Sequence, residues 1–310
     1  MIRHRVARAL TYLLPAALLI VAIALVATQA ARPSAVLDMW RPWGEVGALA
    51  AVMTAIMLTG GIDLSVGSTM ALSGVCFGLL WQNGWSPALG AAAAVAVGFV
   101  AGAINGTLVI AGVVPLVATL ATMAFYAGLA MAISRGNRIP GLPAAFTVWG
   151  QASWWGVPTQ LALFAALLSV TWIIVHHTRV GRYLYAMGEN RTAAEFAAVP
   201  VRAVEWSLYA ASGFVAALVA LFATARGGAV VPGSRQGIEL EIIACVVLGG
   251  TRVTGGHGGL GRTLLGVATL SLLDIGLQFS SLAANARLLL VGALVVGMAV
   301  WNQRLAATRS

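Results

Sequence analysis

Ten apolar stretches, at about 11–29, 46–60, 66–81, 88–110, 115–134, 159–177, 204–224, 239–251, 262–280 and 286–302, leave this chain few ways to fold. Hydrocarbon offers no partners to backbone N–H and C=O groups, so segments of this kind satisfy their own polar groups as helices. A simple span takes about 20 predominantly apolar residues. The stretches at 46–60, 66–81 and 239–251 fall short of that, which predicts short, broken or re-entrant helices held inside a bundle. The expected fold is all-α: a polytopic transmembrane helical bundle of about ten membrane segments, forming one domain over residues 1–310.

Charge supports that architecture. Only 9% of the 310 residues are charged, against about 25% in a soluble domain. All 18 basic residues are arginine. Without lysine there is neither a P-loop nor a Schiff-base residue, so the chain neither cradles ATP in the usual way nor runs lysine covalent chemistry. The arginines sit between apolar segments instead of clustering among aromatics, which argues against a nucleic-acid surface and reads as a topology signal. Arg3, Arg5 and Arg8 place the N-terminus in the cytoplasm. Six crossings later Arg179, Arg182, Arg191 and Arg202 return to that side, and Arg304 and Arg309 place the C-terminus there as well. The run from Thr11 to Thr28 is longer than a secretory h-region, so a retained first span is expected. Cys76 and Cys245 lie inside apolar runs and read as small buried hydrophobes.

The functional candidates begin where two apolar stretches are interrupted by Gly60-Gly61-Ile62-Asp63-Leu64-Ser65-Val66-Gly67-Ser68. A carboxylate midway through a span costs about 2.5–3.5 kcal/mol on insertion scales, which makes Asp63 a candidate for a translocation pathway with Gly60, Gly61, Ser65 and Ser68. The plainer alternative is a cytoplasmic-side turn between two complete helices, with Asp63 capping the helix from Leu64 onward. Gly98, Gly102 and Gly106 recur every four residues and predict one closely packed helix face. Asn105, on the neighbouring stripe, is placed either in an interhelical hydrogen bond or in the pathway. Asp274, also within a span, is read as a specificity or helix-pairing residue, or as a protonated structural one.

The outer loop from Arg135 to Pro158 holds Phe146, Trp149, Trp154 and Trp155, an aromatic cluster suited to the membrane interface, to an external gate or to docking of a soluble partner. A second outer loop, Arg226 to Ile238, ends at Glu239 and Glu241, acids for polar docking, substrate entry or a solvated rim. The inner loop, about residues 178–203, contains Thr192-Ala193-Ala194-Glu195, which has the capping-box form, and Pro200, which discourages helix at Val199. One short helix is expected between them, and two turns are marginal alone in water, so it is expected either to lie on the lipid headgroups or to fit into a groove of a cytoplasmic protein.

Several of these stretches resemble a known family. Leu58 to Ser73 (LTGGIDLSVGSTMALS), Gly102 to Leu108 (GAINGTL), Gly141 to Phe146 (GLPAAF), Val180 to Val201 (VGRYLYAMGENRTAAEFAAVPV), Ser212 to Ala217 (SGFVAA) and Gly237 to Gly266 (GIELEIIACVVLGGTRVTGGHGGLGRTLLG) are similar to permease subunits of ATP-binding cassette importers for ribose, related sugars and autoinducer-2. The resemblance runs from about residue 45 to the C-terminus and implies a multi-pass permease of the bacterial inner membrane, a transport subunit without catalysis. It implies a cytoplasmic ATPase that binds ATP and Mg in place of any cofactor in this chain, a second permease, identical or related, and a periplasmic substrate-binding protein. It identifies Gly188, Glu189, Asn190, Arg191, Thr192, Ala193, Ala194, Glu195 and Phe196 as the region that couples to the ATPase. The chain departs from the family at Glu241, often aspartate there, at Asp274, where asparagine is often nearby, and at Val114-Pro115, commonly a double proline.

Two other classes are weighed against this. An ion-coupled secondary transporter would use Asp63 or Asp274 as a titrating site among broken helices. A membrane enzyme finds little support, since His4, His176, His177 and His257 form no ligand or base constellation. Gly255-Gly256-His257-Gly258-Gly259 lacks the strand and lysine of a phosphate loop and is expected to be a flexible inner turn.

Overall fold

The computed structural model describes residues 38–278 together with Leu289, Gly292, Ala293 and Gly297. The stretch expected at 11–29, most of the one at 286–302, and Arg3, Arg5, Arg8, Arg304 and Arg309 lie outside the described residues.

Eleven helices and one two-stranded hairpin make up the described chain. In order they are α1 (Arg41–Leu58), α2 (Val66–Gln82), α3 (Pro87–Ile110), α4 (Pro115–Ser134), α5 (Ala144–Gln151), the strands β1 (Ser153–Trp154) and β2 (Val157–Pro158), α6 (Thr159–His177), α7 (Arg179–Glu189), α8 (Arg191–Phe196), α9 (Val201–Gly227), α10 (Ile238–Leu248) and α11 (Leu260–Gln278). Of these, α3, α4, α6, α9 and α11, with 24, 20, 19, 27 and 19 residues, are long and apolar enough to cross a membrane. The protein is a helical integral membrane protein.

Helix starts follow local chemistry. Pro87 and Pro115 open α3 and α4 in the first turn, where a missing N–H costs nothing, and the Ser86 hydroxyl accepts from Leu89 N at 3.3 Å. Pro42 does the same for α1, which begins five residues before the expected stretch at 46–60 and reaches 18 residues. The sequence expectation stopped short because Glu45 and Arg41 interrupt the apolar run.

The core forms around α9 and α1. Helix α9 packs on α1, α2, α3, α5 and α7, and α1 is enclosed by α6, α9, α10 and α11. In its most apolar window α9 is 67% buried, against 28% for α4 and 22% for α6, so α4 and α6 carry the outward, lipid-suited faces. The glycine stripe of α3 is the packing face expected of it. A Cβ on Gly102 would run into the Tyr209 carbonyl, one on Gly98 into the Gly213 carbonyl, and one on Gly106 would lie 2.9 Å from the Trp206 carbonyl. Only hydrogen at these positions lets α3 and α9 approach closely.

The hairpins and turns sort into two ends. One carries the turns at 59–65, 111–114 and 249–259 with α7 and α8; the other carries the turn at 83–86, α5 with its strands, and the segment from Gly228 to Gly237. At the second end Ile139 and Val230 form an antiparallel bridge, donating to each other at 2.9 Å. The first end holds the loop that its arginines lead one to expect on the inner side.

Candidate functional site

The interruption at Gly60 to Ser68 is a turn between two helices, closed at both sides. Helix α1 ends in a paired backbone motif: Gly60, with φ of +81°, donates to the Met57 carbonyl at 3.0 Å, and Gly61 donates to the Ile56 carbonyl at 3.2 Å. Glycine is required at position 60 because the left-handed conformation there costs a side chain strain. Beyond it, Asp63 Oδ1 accepts from the Ser65 backbone N–H at 2.9 Å and the Ser65 hydroxyl at 2.7 Å, starting the chain into α2. Asp63 therefore closes a turn ahead of the helix instead of capping it: the cap position is Ser65, without a side-chain capping bond, and the helix begins at Val66 instead of Leu64.

The same carboxyl group anchors a buried polar knot. Its second oxygen accepts from the Ser212 hydroxyl of α9 at 2.7 Å. Asn105 of α3 donates through Nδ2 to Ser65 Oγ at 2.7 Å, and the Tyr126 hydroxyl of α4 donates to the Ala101 carbonyl at 2.9 Å with Asn105 Oδ1 at 3.4 Å. Thr119 Oγ1 donates to the Ile62 carbonyl at 3.2 Å, and Ser68 Oγ to the Ser65 carbonyl at 2.8 Å. Asp63 and Ser65 are each 1% exposed and Asn105 is fully buried. The knot gives each of these groups a partner, which keeps its burial tolerable. It brings Gly60, Gly61, Asp63, Ser65, Ser68 and Asn105 into one neighbourhood. In sequence, nothing but a lone hydroxyl or phenol in an apolar span announced Ser212, Thr119 and Tyr126.

Asp274 does not join it. Its Oδ2 accepts from Trp43 Nε1 at 3.3 Å and from Gln278 Nε2 at 2.8 Å, near the start of α1, whereas Gly60 and Asp63 follow that helix's other end.

The inner loop holds two helices where one was expected. Helix α7 precedes α8, and the cap of α8 is Asn190, whose side-chain oxygen accepts from Ala193 N at 3.0 Å. The capping box expected at Thr192 is not formed, because extended Asn190 already caps two residues earlier and Glu195 turns to Arg191 at 3.5 Å. Arg191 is also held by both carboxylate oxygens of Glu205 on α9, and these bonds raise its basicity further against the opposing effect of burial. Ala194 is buried against the cluster that includes Leu58, Leu184 and Met187, while Phe196 is 88% exposed. The helix is thus docked by one face and offers an aromatic ring on the other.

The Gly255 to Gly259 segment is a docked loop, correcting the flexible turn expected there. Gly256 N donates to the Leu58 carbonyl at 2.9 Å, Tyr185 donates its hydroxyl to the Gly258 carbonyl at 3.2 Å, and His257 Nδ1 lies 3.0 Å from Glu189 Oε1. Gly60, Gly188 and Gly255 meet there without side chains between them. A Cβ on Gly255 would lie 2.7 Å from Gly60 N, and one on Gly188 would overlap the Leu58 carbonyl. Glycine spacing marks closeness in sequence only, so this three-way contact was invisible until the loop was placed.

The end that carries α5 and its strands contains buried charges that sequence reasoning passed over. Glu45, fully buried on α1, accepts from Arg226 Nε at 2.9 Å and lies 2.8 Å from Arg235 Nη2. Arg41 fans its guanidinium onto the Gly150, Gln151 and Ala152 carbonyls, Ser153 Oγ and Gln160 Oε1. Glu239 is largely buried and accepts from Gly237 N at 3.1 Å, so it is a capping group here. In the aromatic loop Trp155 is fully exposed and Trp149 and Trp154 stack edge-on at 6.3 Å.

Comparison with known proteins places these features in a family. Residues 43–299 match the profile described as branched-chain amino acid transport system / permease component. The chain is similar to the ribose import permease protein RbsC of Bacillus subtilis (strain 168), 32% identical over 282 residues that cover 90% of this chain and 88% of that protein. It is 34% identical to the ribose import permease protein RbsC of Escherichia coli (strain K12), covering 83% and 81% of the two chains. It is 31% identical to the autoinducer 2 import system permease protein LsrD of Klebsiella pneumoniae (strain ATCC 700721 / MGH 78578), covering 81% and 78%. No solved structure matches it.

Proposed function

The chain belongs to the family of permease components described as branched-chain amino acid transport system / permease component, and on that premise we propose that it is the transmembrane permease of an ATP-binding cassette importer for a small sugar or sugar-like ligand. The observation that carries this is the likeness to a ribose import permease over 90% of the chain. The membrane is the bacterial inner membrane, and residues 1–310 act as one domain. A separate cytoplasmic ATPase binds ATP and Mg, a second permease completes the path, and an external binding protein delivers the ligand. An ion-coupled carrier using Asp63 or Asp274 is not favoured, since the relatives are import permeases.

The geometry supports a mechanism for that role. Exposed Phe196 on α8, with Gly188, Glu189, Asn190, Arg191, Thr192, Ala193, Ala194 and Glu195 around it, fits a groove on the ATPase. Closely packed backbone transmits displacement instead of absorbing it. Movement of α7 and α8 therefore passes through Gly188 and Gly255 to Gly60, and from there to the turn that carries Asp63. Opening the polar knot bares a carboxyl, a hydroxyl and an amide, namely Asp63, Ser65 and Asn105, to a polyhydroxylated ligand. Such few contacts bind weakly enough to release what they admit.

The test is uptake by proteoliposomes that hold the full assembly. Phe196→Asp and Glu195→Arg are each expected to lower ATP-driven uptake by about tenfold or more, equivalent to ~1.4 kcal/mol on the limiting step. Unchanged uptake in both would remove the coupling role from α8, and gradient-driven uptake by this chain alone would replace the importer with an ion-coupled carrier.

A further inference from the structure

The end of the described chain that carries α5 and its strands encloses a cavity of about 290 Å³, at the small end of ligand sites. Met70 of α2 and Thr224 and Arg226 of α9 form its walls, Ser234 and Arg235 close it from the segment after α9, and Arg138 reaches it from the segment after α4. The bridge between Ile139 and Val230 pins that last segment, so Arg138 is held beside the cavity.

Three arginines line this space and no acidic residue does. Arg226 and Arg235 share the single carboxylate of Glu45, which is fully buried and does not itself line the cavity. Among the described residues Arg138 is exposed and forms no ion pair. Glu239, which follows on α10, accepts from the Gly237 N–H at 3.1 Å and does not line the cavity. Glu45 is shared by Arg226 and Arg235 and Glu241 of α10 also acts on Arg235, which leaves Arg138 as the lining cation without a carboxylate partner among the described residues. Guanidinium groups match carboxylate and phosphate with paired hydrogen bonds, a strength that a neutral pentose does not use. The Thr224 and Ser234 hydroxyls beside them suit the hydroxyls of a polyol.

We propose that this cavity is the outer subsite for an acidic polyol, a small sugar carrying one carboxylate or phosphate group. Its role as the subsite of a cargo rests on the importer reading above. The ligand's acid is held between Arg138 and the Arg226–Arg235 pair, and its hydroxyls face Thr224 and Ser234.

The experiment measures binding to the full-length chain in phosphatidylcholine nanodiscs, which carry no net anionic lipid. The probes are D-ribonate, D-ribose 5-phosphate, D-ribose and inorganic sulfate, at low and high salt. One of the two acids is expected to bind at least about tenfold more tightly than D-ribose, as one or two charge-assisted hydrogen bonds allow, and the preferred acid tells carboxylate from phosphate. Arg138→Gln, at an exposed and unpaired site, is expected to weaken that binding about tenfold without lowering thermal stability. Arg235→Gln with its melting temperature recorded provides the second variant. Equal binding of D-ribose and both acids, sulfate binding as tightly as either acid, no effect of Arg138→Gln and Arg235→Gln, or no binding of any probe would each overturn the proposal. Binding is read without the ATPase, so its failure leaves the uptake test intact. Loss of ATP-driven uptake in the full assembly likewise leaves the binding result standing.

Discussion

Gly188 and Gly255 meet through their backbones: a Cβ placed on Gly255 would stand 3.0 Å from the Gly188 Cα. The first closes α7 and the second lies in the loop before α11, and the Gly60 N–H lies 2.7 Å from that same Cβ position. Three chain segments are thereby packed at hydrogen thickness, between the surface helix α8 and the buried turn that carries Asp63.

Gly188→Ala is expected to impair transport more than any single substitution on the exposed face of α8. Its methyl would overlap the Leu58 carbonyl and Gly256 N, both backbone atoms. Overpacking of this kind costs about 1–3 kcal/mol. ATP-driven uptake and the thermal melt of the purified chain, read together, check it. Normal uptake with a normal melt would show that the three segments separate freely.

Asp63 acts as a hydrogen-bond acceptor for Ser65 and Ser212. Asp63→Asn keeps one acceptor and allows Ser212 to reverse its hydroxyl, so uptake is expected to persist with an unchanged pH profile. Asp63→Ala strands buried partners at about 1–3 kcal/mol each and is expected to lower stability by that order. Uptake by Asp63→Asn that loses its pH dependence relative to the parent would assign the group a titrating role instead.

Glu45→Gln removes the carboxylate shared by Arg226 and Arg235, whose side chains are 27% and 23% exposed. Breaking a buried pair from one side costs about 3–5 kcal/mol, and partial exposure of the arginines places this case near the lower figure. Thermal unfolding in detergent checks it. Glu45→Asp, which keeps the charge on a shorter arm, is expected to lose less.

Much of the local structure is legible in particular residues. Pro87 and Pro115 start their helices, Gly60 ends α1, and Gly98, Gly102 and Gly106 mark the face that meets α9. The interruption at Gly60 to Ser68 was visible because a carboxyl and three glycines break an apolar run. The misplacements have equally local causes. Asn190 outcompeted Thr192 as the cap of α8, and the polar start of α1 hid its first turn behind Arg41 and Glu45. Asp274 looked like Asp63 in sequence, yet it pairs with Trp43 and Gln278 away from the polar knot.

Sequence by itself determined that this is a helical membrane chain, where several of its long helices break, and which polar residues needed company. Those properties follow from transfer free energies, proline and glycine geometry and short-range capping, all of which act within a few residues. Only the tertiary structure decided who keeps that company: Asp63 with Ser212, 149 residues away, Glu45 with Arg226, 181 away, and Gly60 with Gly188 and Gly255. In a membrane bundle the lipid-facing and the protein-facing sides of a helix are both apolar, so hydrophobic periodicity loses the contrast that would orient it. Rotation and register are then settled by the close approach of small residues and by the buried polar pairs themselves, across distances along the chain that no local pattern spans.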